Sequence, residues 1–206
     1  MITTDRLRAV HTIITHANCP DGVASAILLH DVLPEAKIVF VQHQTVEHKS
    51  LPVSEGVLFV DFAPHETQAQ QFVEAGAMIL DHHKTSRAIV EAFGDNGRFG
   101  NEVRDPGVCG AVLAFNHVWA PLKSPSSLIP NLPLKEYQLA KDFATLAGIR
   151  DTWQKDSPDW HRACVQAEML KFFPIETLLE DTCPFLNQNQ SLWVSRMEIG
   201  EMLIAK

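Results

Sequence analysis

Short apolar runs alternate with longer amphipathic segments through the first three-quarters of the chain. Short apolar runs rich in β-branched residues are typical of buried strands, and apolar residues three to four positions apart are typical of helices. The predicted strands cover residues 10–15, 37–42, 57–61 and 77–80, and the predicted helices residues 22–33, 65–75, 85–93, 108–119 and 134–147. Parallel strands need crossover helices that cover both faces of the sheet. The pattern therefore predicts an α/β fold with a mainly parallel β-sheet flanked by helices.

The last quarter of the chain has a helical pattern, and no strand is predicted after Asp151. Residues 121–133, with four prolines and three serines, are predicted to form a loop. Further helices are predicted over residues 160–173, 175–179 and 186–204. We therefore expect an α/β domain over residues 1–155 and a helical C-terminal extension or linker over residues 156–206. Its apolar residues, such as Trp193 and Met197, must cover the sheet domain, a further domain or a second subunit, and a homodimer through this region is one expectation.

Charge and composition limit the classes of partner. The 206 residues include 17 Lys and Arg against 25 Asp and Glu, which gives a net charge of −8. This is the wrong sign for binding duplex DNA through its phosphates. The apolar runs are too short to span a membrane, and the N-terminus lacks the layout of a signal peptide. The four cysteines match no CxxC zinc spacing. We expect a cytoplasmic protein without a membrane partner.

Acidic residues and histidines follow the predicted strands at their ends. The relevant stretches are THANCPDG at 15–22, VDF at 60–62, DHHKT at 81–85 and, after a helix, IRDTW at 149–153. The carboxyl ends of neighbouring parallel strands lie along one edge of the sheet, where such folds place their sites. The residues expected to converge there are His16, Asp21, Asp61, Asp81, His82, His83 and Asp151. Oxygen and imidazole ligands suit Mn²⁺, Mg²⁺ or Fe²⁺ better than structural zinc.

Five stretches of the sequence together resemble a known enzyme family. THANCPDGVASA, VDFAP, DHHKT and IRDTW, in this order, are similar to the four motifs of the DHH superfamily of metal-dependent phosphoesterases. GVCGAVLAF at 107–115 also resembles a glycine-rich turn of the phosphodiesterase members. The resemblance covers about residues 10–155 and implies hydrolysis of phosphoester bonds.

The resemblance also implies a role for each residue that matches a motif. It implies two divalent cations that hold a water molecule and lower its pKa. Mn²⁺ is the first choice for these cations, and Mg²⁺ or Fe²⁺ are the alternatives. Asp61 would bridge the cations. His16 would bind the first, and the second would be bound by Asp21, His82 and Asp151.

The remaining matched residues would act on the substrate. Asp81 would orient an imidazole, and His83 would face the substrate phosphate and stabilise or protonate the leaving oxygen. Gly107 and Gly110 either supply free N–H groups at a helix start for an anion or simply permit close packing.

Two features of the sequence depart from the family. The first motif lacks the earlier of its two usual aspartates, and Cys19 or Asn18 stands near that position. Weak occupancy, a contact from Cys19 or another metal preference all remain open. No second substrate-binding domain is recognisable after residue 155.

These departures leave several functions open. A small phosphorylated substrate, either a short single-stranded oligonucleotide or a cyclic nucleotide, is expected first. The alternatives are polyphosphate or pyrophosphate hydrolysis, or a catalytically silent scaffold that binds phosphate or nucleotides.

Other residues with possible functions are expected to be structural. Trp153 is predicted to lie in the core rather than to stack on a base. His43, His48 and His65 have no partner visible in the sequence, and we expect them at the surface.

Overall fold

Five parallel strands form the central sheet in a computed structural model that describes residues 2–101, 103–123, 134–180 and 190–205. The strands are β1 (Thr12–His16), β2 (Lys37–Val41), β3 (Val57–Val60), β4 (Met78–Asp81) and β5 (Gly97–Phe99). Their order in the sheet is β2-β1-β3-β4-β5, and each neighbouring pair is parallel. The predicted α/β fold with a parallel sheet and helical flanks is confirmed.

Ten α-helices are described around and beyond the sheet. They are α1 (Thr4–Arg8), α2 (Pro20–Val32), α3 (Glu66–Glu74), α4 (Arg87–Ala92), α5 (Gly110–Ala114), α6 (Ala120–Lys123), α7 (Leu134–Asp151), α8 (Trp160–Phe172), α9 (Ile175–Glu180) and α10 (Gln190–Ile204). A π-helical turn, Phe115–Trp119, joins α5 to α6. The predicted loop at 121–133 is wrong at its start, since residues 121–123 are helical, and residues 124–133 lie outside the described chain.

The sheet is buried on both faces, which explains why its strands are apolar at successive positions. Ile13 and Leu58 pack into a core formed with α2, α5 and α7. The next residues along each strand, Ile14 and Phe59, point to the opposite face and pack against Phe72 of α3. Successive strand side chains point to opposite faces, so a sheet covered by helices on both sides needs apolar residues at every position.

The chain forms α1 and β5, which the pattern did not predict, and α7 is longer than predicted. Strand β5 has the sequence GRF, which is short and carries one apolar side chain. Helix α7 continues past residue 147 to Asp151. Gly148 lets the turn at Gly107 pack against α7, because a Cβ there would lie 2.0 Å from the carbonyl oxygen of Gly107.

The helical extension packs onto the α/β part of the chain. Helix α8 contacts α2, α7 and α10. Its residues Met169 and Leu170 are buried in the same core as Leu28 of α2. The predicted last helix is described from Gln190 to Ile204, and residues 181–189 lie outside the described chain. No helix in the described ranges combines the length and apolar character that a membrane span needs.

Candidate metal centre

Strand ends bring the predicted ligands to one edge of the sheet. His16 is the last residue of β1, and Asp61 directly follows β3. Asp81 ends β4 and is followed by His82 and His83. Strands β2 and β3 lie on opposite sides of β1, so the chain changes winding direction between β1 and β3. Open α/β sheets place their sites at such a switch point, outside the carboxyl ends of the strands.

Helix ends supply the other two predicted ligands. Asp21 lies in the first turn of α2, after Pro20 at the first helical position. Asp151 is the last residue of α7. Asp21 is held by the start of another helix, because the N–H groups of Gly110 and Ala111 donate to its two oxygens at 2.6 and 2.8 Å. Residues far apart in sequence are therefore fixed by backbone elements rather than by flexible loops.

Asp61 lies at the centre of the cluster. The residue is fully buried, and its backbone has a φ of +53°, a left-handed conformation that Asp tolerates better than most residues. Asp61 Oδ1 lies 3.2 Å from His82 Nε2, and no hydrogen-bond partner of Oδ2 is found in the described chain. The start of α5 passes so closely that a Cβ on Gly110 would lie 2.4 Å from the Asp61 Cβ. Glycine at position 110 therefore keeps space for the Asp61 carboxylate.

One group of candidate metal ligands consists of Asp61, Asp81, His82 and His83, and two further groups adjoin it. In one, His82 Nε2 lies 3.7 Å from Asp21 Oδ2 and 3.6 Å from Asp151 Oδ2. The other group consists of His16, Cys19 and Asp61. Within each group the ligand atoms lie within 4.8 Å of one another. These acidic residues and histidines could hold a metal ion, as the sequence pattern indicates.

The charges of the cluster also fit a cation. Burial raises the pKa of the Asp61 carboxyl well above its ordinary value, and the neighbouring Asp21, Asp81 and Asp151 carboxylates raise it further. In the absence of positive charge, the buried cluster therefore favours a proton on Asp61, which would offset part of its negative charge. A divalent cation offsets the same charge and would also bind Asp61 Oδ2 and the buried, unpartnered Nδ1 of His16.

Comparisons of the chain with protein-family models, curated proteins and solved structures found no match. What the cluster can do chemically therefore follows from its own atoms and charges.

Asp81 and His83 form a hydrogen-bonded pair beside the cluster. Asp81 Oδ1 accepts the backbone N–H of His82 at 2.7 Å and lies 2.7 Å from His83 Nδ1. Burial alone would raise the pKa of Asp81, but the contacts with His83 lower it overall. The hydrogen bond to Asp81 in turn raises the pKa of His83. Since Nδ1 is bound to Asp81, His83 is left with Nε2 to face a ligand, and its side chain is partly exposed.

The glycine-rich turn at residues 107–110 packs closely against α7 and orients the carboxylate of Asp21. The N–H of Gly110 donates to Asp21, as described above. Gly107 has a φ of +92°, and its carbonyl oxygen faces Gly148 of α7. Of the two alternatives left open by the sequence, the contacts match close packing, and the N–H groups of Gly110 and Ala111 bind a carboxylate of the protein itself.

Two residues are placed differently from the sequence prediction. The predicted core position of Trp153 is wrong, because the side chain is 59% exposed and lies beneath Arg150, whose guanidinium is 4.6 Å from the ring centre. The predicted surface position of His48 is also wrong, since it is 5% exposed and its Nε2 lies 3.0 Å from the carbonyl oxygen of Ala63.

His43 is the functional candidate that the sequence interpretation missed. Its ring centre lies 4.7 Å from that of His16 and 6.2 Å from that of His83. Burial, followed by the nearby histidines, lowers its pKa to about 4. His43 comes two residues after the end of β2, so the strand-end rule that identified the other residues also applies to it.

Proposed function

We propose that this protein is a metal-dependent phosphoesterase that hydrolyses phosphodiester bonds of short single-stranded oligonucleotides or cyclic nucleotides with two divalent cations. One observation carries the proposal: two groups of ligand atoms meet at the carboxyl edge of the sheet, and the buried Asp61 belongs to one and contacts the other. A carboxylate in this position is suited to bridge two cations. The similarity of the sequence to DHH phosphoesterases supports the same assignment.

The ligands divide between two cation positions. His16 would serve the first, while Asp21, His82 and Asp151 would serve the second, and Asp61 would serve both. When bound, two such cations, most suitably Mn²⁺, lower the pKa of a water molecule and neutralise the phosphate oxygens. The protein contributes fixed geometry, because Asp21 is held by the start of α5 and the backbone N–H of Asp61 donates to the carbonyl oxygen of Leu80 in β4. Little reorganisation is then needed during the reaction.

His83 is suited to deliver a proton to the leaving oxygen. The Asp81 carboxylate holds the proton on Nδ1, and it raises the pKa of the imidazole, so that His83 carries a second proton on Nε2 over a wider pH range. A positioned acid of this kind contributes about 10²–10⁴-fold to the rate. Asp81 acts through His83, so we regard it as a positioning residue.

A small cavity beside the second group of ligands supports a phosphorylated substrate. Its volume is about 110 Å³, and its walls include Asp21 and Asp151 together with Arg150 and Lys171. This space accommodates several water molecules. Positively charged side chains beside the cation ligands would favour an anionic group there, whereas the net charge of −8 disfavours a long polyanion. The surface therefore suits a short substrate better than duplex DNA.

The proposal is tested by assaying Mn²⁺-loaded protein on a dinucleotide, a cyclic dinucleotide, pyrophosphate and tripolyphosphate. We expect turnover of a phosphodiester that is abolished by EDTA and lowered about 100-fold or more in His83→Gln. The matched control is His161→Gln, which changes an exposed histidine of α8 that pairs with Glu201. This control should retain full activity.

Other outcomes would replace the proposal. Faster turnover of pyrophosphate or tripolyphosphate would assign the site to phosphoanhydride hydrolysis. Stabilisation by Mn²⁺ without turnover of any of the four substrates would instead indicate a scaffold that binds phosphate or nucleotides.

A further inference from the structure

Cys19 lies between the two elements that build the first cation position. It follows β1, which ends at His16, and directly precedes Pro20, the first residue of α2. Its backbone is extended, with φ −119° and ψ 125°. The Cys19 Sγ lies within 4.8 Å of a ligand atom of His16 and of Asp61. The thiol is free and half-buried, so it is available to a ligand within the cluster.

Buried polar atoms of the same group point to an ion at this position. Asp61 Oδ2 and His16 Nδ1 are both buried, and neither has a hydrogen-bond partner in the described chain. An unpartnered buried carboxylate oxygen destabilises the fold unless it binds a partner such as a cation. One sulfur, one imidazole nitrogen and one carboxylate oxygen thus converge, each from a different residue type.

The ligand chemistry differs between the two groups. The group of Asp21, His82 and Asp151 offers oxygen and nitrogen alone. Such ligands suit hard cations such as Mn²⁺ or Mg²⁺, whereas a thiolate favours a softer metal such as Zn²⁺. Binding converts the Cys19 thiol to a thiolate, and its proton passes to the solvent.

We propose that Cys19 binds the first cation as a thiolate together with His16 and Asp61, so that this position selects Zn²⁺ while the second position takes Mn²⁺ or Mg²⁺. This inference rests on the two-cation arrangement of the proposed function. It assigns a ligand where the first motif lacks its usual aspartate, and it makes the two positions chemically unequal.

The test is a titration of the metal-free protein with Co²⁺, because thiolate coordination gives an intense near-ultraviolet charge-transfer band that oxygen and nitrogen ligands do not give. We expect the band in the wild-type protein and its absence in Cys19→Ser. The matched control is Cys164→Ser, which changes a free, half-buried cysteine of α8 and should retain the band. Zn²⁺ affinity should fall by about tenfold or more in Cys19→Ser alone.

A second variant separates a lost ligand from a damaged fold. Cys19→Asp replaces the sulfur with a carboxylate, so we expect Co²⁺ binding without the charge-transfer band and a shift of preference from Zn²⁺ to Mn²⁺. Circular dichroism in EDTA should match the wild-type spectrum for all three variants. A band that persists in Cys19→Ser, or Co²⁺ binding to the wild-type protein without a band, would overturn the assignment.

The spectroscopic result is independent of turnover. A wild-type band in a protein that hydrolyses no phosphoester would support Cys19 as a ligand and refute the phosphoesterase proposal. Hydrolysis of a phosphodiester by a protein without the band would refute the role of Cys19 and leave the phosphoesterase proposal standing.

Discussion

Replacing Asp61 by Asn should change the stability of the protein in opposite directions with and without metal. His82 Nε2 lies 3.2 Å from Asp61 Oδ1 and 3.7 Å from Asp21 Oδ2. The two carboxylate oxygens are therefore at most about 7 Å apart, and two unit charges at that distance repel by about 2 kcal/mol at an effective dielectric constant of about 20. Asn removes this repulsion and tolerates the left-handed backbone at position 61.

In the absence of metal, the variant should therefore be the more stable protein near neutral pH. A gain of about 2 kcal/mol corresponds to a rise in Tm of about 4–8 °C for a chain of this size. With Mn²⁺ at about 100 times its Kd, the wild-type protein gains about 2.7 kcal/mol, or about 5–11 °C, and the variant should lose most of that gain. Thermal unfolding followed by circular dichroism, in EDTA and in Mn²⁺, measures both effects.

The pH dependence gives an internal check. The folded pKa of Asp61 is raised above its ordinary value of 3.8. The protonated carboxyl of the metal-free protein therefore gives full stability below about pH 4, and stability is lost as the pH rises through the raised pKa. The difference between the variant and the wild-type protein should vanish at low pH. A variant that is less stable in EDTA at pH 7 and equally stabilised by Mn²⁺ would refute the reasoning.

Two further substitutions test the support around the cluster. Gly110→Ala places a Cβ 2.4 Å from the Asp61 Cβ and 3.0 Å from Asp21 Oδ2. We therefore expect the free energy of unfolding, measured in urea, to fall by about 1–3 kcal/mol and Mn²⁺ to stabilise the variant less than the wild-type protein. Unchanged Mn²⁺ affinity would contradict this. Asp81→Asn should lower the pKa of His83, measured by NMR on the metal-free protein. The ion pair of Asp81 and His83 is fully charged between pH 3.8, the ordinary pKa of Asp81, and pH 6.5, the ordinary pKa of His83. Its contribution to the free energy of unfolding is lost as the pH rises through the raised pKa of His83. The stability gap between the variant and the wild-type protein should therefore narrow at alkaline pH, and an unaltered pKa of His83 would argue against the pair.

The sequence predicted the sheet because its buried strands carry an unambiguous signal. Strand β3 is apolar throughout and is followed by Asp61, and β4 is apolar up to its last residue, Asp81. This pattern located both the strands and the edge on which the ligands lie. Strand β5 was missed because its single apolar residue, Phe99, gives no periodicity to recognise. Its pairing with β4 depends on tertiary contacts rather than on local propensity.

The parts of the site that sequence did not predict depend on distant packing. Nothing near Asp21 indicates that its oxygens would accept the N–H groups at the start of α5, about 90 residues later. The sequence predicted Trp153 in the core because a large aromatic residue is usually buried. In the structure a φ of +56° at Trp153 turns the chain at the end of α7, and the side chain is exposed. His48 is buried, and its ring nitrogen bonds to the carbonyl oxygen of Ala63. The spacing of residues along the sequence could not reveal this partner.

The wide separation of His16 and Asp151 along the chain has a thermodynamic consequence. Two cations joined through Asp61, one bound to His16 and the other to Asp151, would act as a reversible cross-link across a loop of about 135 residues, much as a disulfide restricts the unfolded chain, and such closures are worth roughly 4–5 kcal/mol in the entropy model. The two cations together would join the first strand to the last residue of α7, the helix against which α8 packs. Chelation should thus loosen the attachment of the C-terminal helices as well as the edge of the sheet, and the metal supply of the cell would set how tightly this molecule holds together.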